Sequence, residues 1–138
     1  MPNGIDLILE DHQIIDTLFA SFDETAEGAV VGQIIDVLTA HDDAEHAALY
    51  PLAGHVLGDE AMITRGALAH SMVKKQIDDM KSKEGVPLSD AVAVLRQLVA
   101  EHVRDEEAEL LPQLQAAATP QQLDGLAARF LQAKQRGG

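Results

Sequence analysis

Two copies of one short pattern constrain this 138-residue chain more than any other feature. In each copy a glutamate follows a histidine after four residues, and a proline comes six residues later: His41, Glu45 and Pro51, then His102, Glu106 and Pro112. Residues four apart lie one turn apart on the same face of an α-helix. The pattern therefore predicts two helices that each direct an imidazole and a carboxylate toward one place.

Apolar residues recur every three or four positions along four long segments and one shorter C-terminal segment, as in amphipathic helices. The predicted helices are about 5–25 with Asn3 as N-cap, a second helix after Gly32 that Gly54 and Gly58 close, about 60–83, a fourth helix capped by Ser89, and about 120–135 capped by Thr119. Strand patterns are lacking. The sequence predicts an all-α, up-down-up-down four-helix bundle (about 5–115) with a short fifth helix, all in one domain, 1–138.

Each of the four long helices carries one histidine inside its apolar stripe, and two of them also carry a glutamate there: His12, His41, Glu45, His70, His102 and Glu106. A buried charge is costly unless it is paired or bound to metal. The simpler interpretation is two His–Glu hydrogen bonds inside the core. Two such pairs on stripes, joined by two further stripe histidines, favour a metal site instead.

The donor set restricts the metal. The chain has no cysteine, so all donors are nitrogen or oxygen. Four histidines and two glutamates fit a pair of iron or manganese ions, each bound by two imidazoles and by one oxygen of each bridging carboxylate. Iron accepts further ligands, which leaves positions for dioxygen, peroxide or nitric oxide.

Two other side chains are candidates for the site. On a regular helix Tyr50 points away from the His41–Glu45 face, which predicts a surface or inter-helix role; a π-bulge would turn its phenol toward the metals. Lys74 lies one turn after His70, where a lysine ordinarily extends to solvent. The alternative is a positive group that gates protons or anions.

The remaining polar residues are assigned away from the metals. We predict that His46 and His55 are not ligands, and that the acidic runs at 42–43 and 105–109 are mostly solvated faces. Pro51 and Pro112 each remove a helical hydrogen bond, which predicts a kink past each glutamate.

The net charge of −13 repels phosphate and anionic lipid, which argues against nucleic acid and membrane partners. The sequence starts without a secretory signal and has no apolar run near the roughly 20 residues that span a bilayer. We therefore expect a cytoplasmic protein. An apolar face on the fifth helix (Leu123, Leu126 and Phe130) either caps the bundle or mediates association, so a monomer or a weak homo-oligomer is expected.

The order His, His-x3-Glu, His, His-x3-Glu resembles the hemerythrin-like family of HHE cation-binding domains over about residues 5–114. The resemblance implies a four-helix bundle with an oxo- or hydroxo-bridged pair of iron ions, with manganese or zinc less favoured. It implies that one iron is bound by His12 and His41, the other by His70 and His102, and that the bridges are Glu45 and Glu106.

Hemerythrins that carry oxygen have a further histidine four residues after the third one, and this chain has Lys74 there. The resemblance therefore implies a reaction with small oxidants, either catalase-like breakdown of hydrogen peroxide or protection against nitric oxide and peroxide stress. The alternatives are an oxygen- or nitric oxide-binding or sensing protein without turnover, and a protein of iron storage or delivery.

Overall fold

The computed structural model describes residues 2–137, and nearly all of them are helical. The elements are α1 (Gly4–Thr25), α2 (Gly28–Ala44), the π-helical segment π1 (Glu45–Leu49), α3 (Tyr50–Leu57), α4 (Glu60–Met80), α5 (Gly85–Asp105), a second π-helical segment π2 (Glu106–Leu110), α6 (Leu111–Ala117) and α7 (Pro120–Gly137). Three of these elements form one continuous rod over residues 28–57, and three more form another over 85–117. With α1 and α4 these rods make the predicted four-helix bundle, and α7 is the added C-terminal helix.

Side-chain caps begin the first and last helices as predicted. The Asn3 side chain accepts a hydrogen bond from the Asp6 backbone (3.0 Å), and the Asp6 carboxylate accepts one from the Asn3 backbone (2.9 Å). Thr119 and Gln122 make the same reciprocal pair before α7, at 2.9 and 3.1 Å. These two capping boxes satisfy backbone donors that a helix start leaves free.

Three predicted boundaries were wrong. The second rod begins at Gly28 and not after Gly32; it passes through Gly54 but ends before Gly58 as predicted, where a φ of +66° is the left-handed conformation that glycine adopts at a helix end. Helix α4 ends at Met80, earlier than predicted. Helix α5 begins at Gly85 and not after Ser89. Its first turn contains Pro87, which is tolerated there because the N–H that proline lacks would have no partner in a first turn.

A π-helical turn stands before each proline where a kink was predicted. The backbone N–H of Tyr50 donates to the carbonyl of Glu45, and that of Leu111 donates to the carbonyl of Glu106. Each turn holds one residue more than an α-helical turn, so the following residues are rotated by about 100° relative to a regular helix. This rotation brings Tyr50 into the bundle.

The core consists of two hydrophobic clusters with a polar layer between them. One cluster contains Ile8, Leu49 and Leu114 among others, and the second contains Phe19, Leu38 and Leu95 among others. Along each rod and along α1 and α4, the six predicted site residues lie between members of the two clusters. The apolar layers therefore shield the polar layer from water on both sides.

The fifth helix covers the bundle with its apolar face. Leu123, Leu126 and Phe130 are all buried, and α7 lies against α1, α2 and π1. A side chain on Gly4 would overlap Leu126, so that glycine permits the close approach of α1 and α7. No helix within residues 2–137 combines the length and apolarity that crossing a membrane requires.

Candidate metal centre

The structure brings the six predicted site residues together in two groups that share both glutamates. The first subsite consists of His12, His41, Glu45 and Glu106, and the second subsite consists of Glu45, His70, His102 and Glu106. Within each group, one donor atom of every residue lies within 4.8 Å of all the others. Five of the six residues are buried, and the His102 side chain is 10% exposed.

The two carboxylates reach from one subsite to the other. For Glu45, Oε2 lies 3.2 Å from His41 Nε2 and Oε1 lies 2.9 Å from His70 Nε2. For Glu106, Oε1 lies 3.2 Å from His12 Nε2 and Oε2 lies 3.2 Å from His102 Nε2. Each glutamate therefore places one oxygen in each subsite, which is the arrangement of a bridging carboxylate.

These short separations are not hydrogen bonds. Both oxygens of Glu45 and of Glu106, together with the Nε2 atoms of His12 and His41, are buried and lack a hydrogen-bond partner. Six such orphaned atoms in one place would be costly. Two ligands about 2.1 Å from one ion and at right angles to each other are about 3.0 Å apart, close to the separations found. The residues thus fit one ion in each subsite.

Burial and mutual attraction oppose each other in the pKa values of the site. Burial by itself would raise the pKa of Glu45, but the charge of the neighbouring His41 and the polar contacts with Glu106 and His102 lower it well below its usual value. Burial would lower the pKa of His41, yet Glu45 and Asp11 raise it well above 6.5. In the same way Glu106 and Glu45 outweigh burial and raise the pKa of His102 to about 10. Without metal, His41 and His102 therefore tend to keep their protons.

Two acidic residues that the sequence did not single out hold the outer nitrogens of the first subsite. His12 Nδ1 donates to Glu107 Oε2 at 2.7 Å, and His41 Nδ1 donates to Asp11 Oδ2 at 2.8 Å. Metal-bound histidines commonly make such a bond, which fixes the ring so that Nε2 faces the ion. The Glu107 side chain is nevertheless 43% exposed, in agreement with the prediction that the run 105–109 is mostly a solvated face.

The second subsite has different neighbours. His70 Nδ1 lies 3.0 Å from His46 Nε2, so His46 is outside both groups but contacts one of their members. Asp42 was expected on a solvated face, but it is half-buried and its Oδ1 lies 3.4 Å from His70 Nε2. Burial raises the pKa of Asp42 to about 6. His55 is exposed and belongs to neither group.

Tyr50 lies against the second subsite. Its hydroxyl donates to His70 Nε2 at 3.3 Å, and the residue is 6% exposed. Burial, together with the charges of Glu45 and Glu106, raises the pKa of Tyr50, so its hydroxyl stays protonated. Of the expected surface or inter-helix role, the surface position was therefore wrong; Tyr50 lies between helices, and the π-bulge alternative describes the structure. Gly66 permits this position, because a Cβ there would lie 2.6 Å from the Tyr50 oxygen.

Lys74 is exposed and lies on the wall of a groove between α2 and α4. The groove has a volume of about 510 Å³ and reaches Asp42, His46 and His70. The position of Lys74 agrees with a lysine extended to solvent at the edge of the stripe.

A small cavity on another side of the second subsite is lined by Tyr50, Gly66, His102 and Glu106 among others. Its volume of about 40 Å³ exceeds the roughly 10–15 Å³ that one water needs. It therefore admits molecules of two or a few atoms.

A bundle that buries two His–Glu groups with shared carboxylates defines a protein of the hemerythrin-like class. The model of that family, the hemerythrin HHE cation binding domain, matches residues 3–114. The chain belongs to this family and is a metal-binding protein.

Two known proteins are similar to this chain over nearly its whole length. A hemerythrin HHE cation binding domain-containing protein from Mycobacterium kansasii has the same fold, with a TM-score of 0.86 over 99% of this chain and 88% of that one, at 17% identity. A DNA nickase from Nostoc sp. is 28% identical over 137 residues. That match covers 95% of this chain, which spans only 39% of the Nostoc protein.

Proposed function

We propose that this protein binds two iron ions in the polar layer and breaks down hydrogen peroxide beside them. The observation that carries the proposal is the reciprocal placement of four buried carboxylate oxygens against four imidazole Nε2 atoms. His12 and His41 would hold the first ion, His70 and His102 would hold the second, and Glu45 and Glu106 would serve both. When bound, the iron pair would supply Lewis-acid and redox chemistry.

The donor set supports iron. Imidazole and carboxylate together, without sulfur, suit iron better than an ion that prefers only oxygen or only thiolate. Six side chains supply eight donor atoms if each carboxylate uses both oxygens, four per ion. Iron that accepts up to six ligands then keeps room for a small molecule.

The polar groups around the second subsite suit peroxide. Disproportionation of two peroxide molecules yields one dioxygen and two waters, so protons must be taken up and given back at the same place. Asp42 offers a half-buried carboxyl, 3.4 Å from His70 Nε2, that can hold such a proton. The Tyr50 hydroxyl lies on the cavity wall and can donate a hydrogen bond to a bound oxygen atom.

The cavity size is compatible with a small substrate. About 40 Å³ suits peroxide, dioxygen or nitric oxide. The hydrophobic clusters on either side keep bulk water out of the layer, which preserves the strength of its electrostatic interactions.

Iron content, the optical spectrum and oxygen release after peroxide addition test the proposal in the purified protein. We expect two irons per chain and rapid oxygen release. His41→Ala should lose iron, whereas His55→Ala, which removes an exposed histidine, should retain it and serves as the matched control. Fewer than two irons per chain would contradict the dinuclear site. Two irons with a stable dioxygen or nitric oxide adduct and no turnover would favour a binding or sensing protein, and ready loss of iron to a mild chelator would favour iron delivery.

The activity in the name of the Nostoc relative is not extended to this chain. The net charge of −13 on this chain repels a DNA backbone. The match also covers only 39% of the Nostoc protein. Supercoiled plasmid incubated with the iron-loaded protein should stay intact.

A further inference from the structure

The C-terminal helix α7 is connected to the metal layer by a chain of hydrogen bonds. Lys134 Nζ donates to Asp11 Oδ1 at 2.6 Å, and Asp11 Oδ2 accepts from His41 Nδ1 at 2.8 Å. Asp11 is 3% exposed. The three side chains come from α7, α1 and α2, so the contact joins three helices at one histidine.

A second contact between α7 and the same histidine accompanies this chain. The ring of Phe130 packs edge-on against the His41 ring, with centroids 5.8 Å apart. Lys134 Nζ lies 5.5 Å from the centroid of the Phe130 ring, within the range of a cation–π contact. Phe130 is fully buried. Helix α7 therefore holds the His41 ring both at its outer nitrogen and at its side.

We infer that Lys134 and Asp11 are positioning residues that hold His41 for the ion of the first subsite. The inference rests on the proposed dinuclear site, and it involves a helix that lies beyond the residues 3–114 matched by the family model. Asp11 fixes the His41 proton on Nδ1, so the Nε2 lone pair faces Glu45 and the ion. Lys134 occupies the other Asp11 oxygen, so that the carboxylate cannot rotate away from His41.

The second subsite lacks this connection to α7. There the outer nitrogen of His70 meets the neutral, exposed imidazole of His46, which belongs to π1. Loss of the Lys134–Asp11 contact should thus act on one ion more than on the other. Partners of this kind are worth about 10- to 100-fold in metal affinity.

Three variants and a control test this. Asp11→Asn keeps the shape and removes the charge, Lys134→Met keeps the apolar stem, and Lys134→Arg restores a cation. The control is Lys83→Met, because Lys83 makes an ion pair of 2.9 Å with Asp79 that does not involve the site. It removes the same charge and also breaks an ion pair.

The first readout is the release of Co²⁺ from protein loaded with Co²⁺ alone, followed by its visible absorption after addition of excess chelator. We expect one of the two ions to leave about 10- to 100-fold faster in Asp11→Asn and about 10-fold faster in Lys134→Met. Lys134→Arg should lie close to the wild type, and Lys83→Met should equal it.

The second readout is the nitrogen NMR spectrum of histidine-labelled protein loaded with Zn²⁺. The His41 Nδ1–H signal should be protected from solvent exchange in the wild type, lost in Asp11→Asn and shifted in Lys134→Met. If α7 had only a general structural effect, the variants would release both ions faster by the same factor and the His41 Nδ1–H signal would remain. That result would overturn the inference. The inference would also be overturned if Lys134→Met and Lys83→Met released Co²⁺ at the same rates. A wild-type protein that binds fewer than two Co²⁺ ions would instead overturn the proposed function.

Discussion

Substituting Gly66 by alanine should separate Tyr50 from the metal layer, and the chain offers a matched control for it. A Cβ at Gly66 would lie 2.6 Å from the Tyr50 oxygen and 2.9 Å from Cζ. An ordinary contact begins at 3.4 Å, so the hydroxyl must move by 0.8 Å (3.4 − 2.6) or more. Its hydrogen bond to His70 is already 3.3 Å long and should break.

The magnitude follows from two opposing effects. Alanine in place of glycine inside a helix stabilises by about 0.5–1 kcal/mol. A buried hydroxyl left without its partner costs about 1–3 kcal/mol. Gly32→Ala, in α2, has nothing within 4 Å of the new Cβ and should show only the stabilisation of the helix. The stabilisation by alanine in the helix is common to both variants, so Gly66→Ala should be less stable than Gly32→Ala by about 1–3 kcal/mol.

Urea unfolding of the metal-free proteins measures this difference. Tyr50 is the one tyrosine in a chain without tryptophan, so tyrosine fluorescence and the tyrosine bands of the near-ultraviolet circular dichroism report on that residue. Both should change in Gly66→Ala and stay unchanged in Gly32→Ala. Equal stabilisation of the two variants, with unaltered tyrosine spectra, would refute the argument that Gly66 makes room for Tyr50.

Three further predictions concern the metal layer. Glu45→Ala should lose both ions, because one carboxylate serves both subsites, whereas the exposed control Glu101→Ala should keep them; a Glu45 variant that still holds two irons by metal analysis would refute the bridge. Asp42→Asn should keep both irons and lower oxygen release from peroxide by about 100-fold; unchanged turnover would exclude Asp42 as the proton holder. Co²⁺ affinity should rise with pH through neutrality, because the pKa of His102 is about 10 without metal and protons must leave before an ion binds; a titration at several pH values that shows no proton release would contradict this.

The set of candidate metal-binding residues and the fold class could be predicted from the sequence because both depend on local spacing. Four-residue intervals put His41 with Glu45, and His102 with Glu106, on one helical face whatever the tertiary structure. The apolar period of the four long segments required a bundle that turns those faces inward. The caps at Asn3 and Thr119 were likewise visible, since a capping box involves residues three apart.

The surroundings of these candidate residues could not be predicted in the same way. Asp11 is 30 residues from His41 and 123 residues from Lys134 along the chain, and no local spacing relates them. The place of Tyr50 depended on a π-helical turn, which adds one residue without a distinct sequence signal. Proline alone was compatible with a kink or with a π turn.

The sequence by itself determined which side chains face inward and which chemistry they offer, because helical periodicity and ligand type are properties of short segments. Only the tertiary structure decided how the two subsites differ, with Asp11 and Glu107 behind the first and His46, Asp42 and Tyr50 around the second. The physical reason is that an outer partner is selected by the packing of one helix against another. That packing is set by the whole core at once, and not by any segment of the chain.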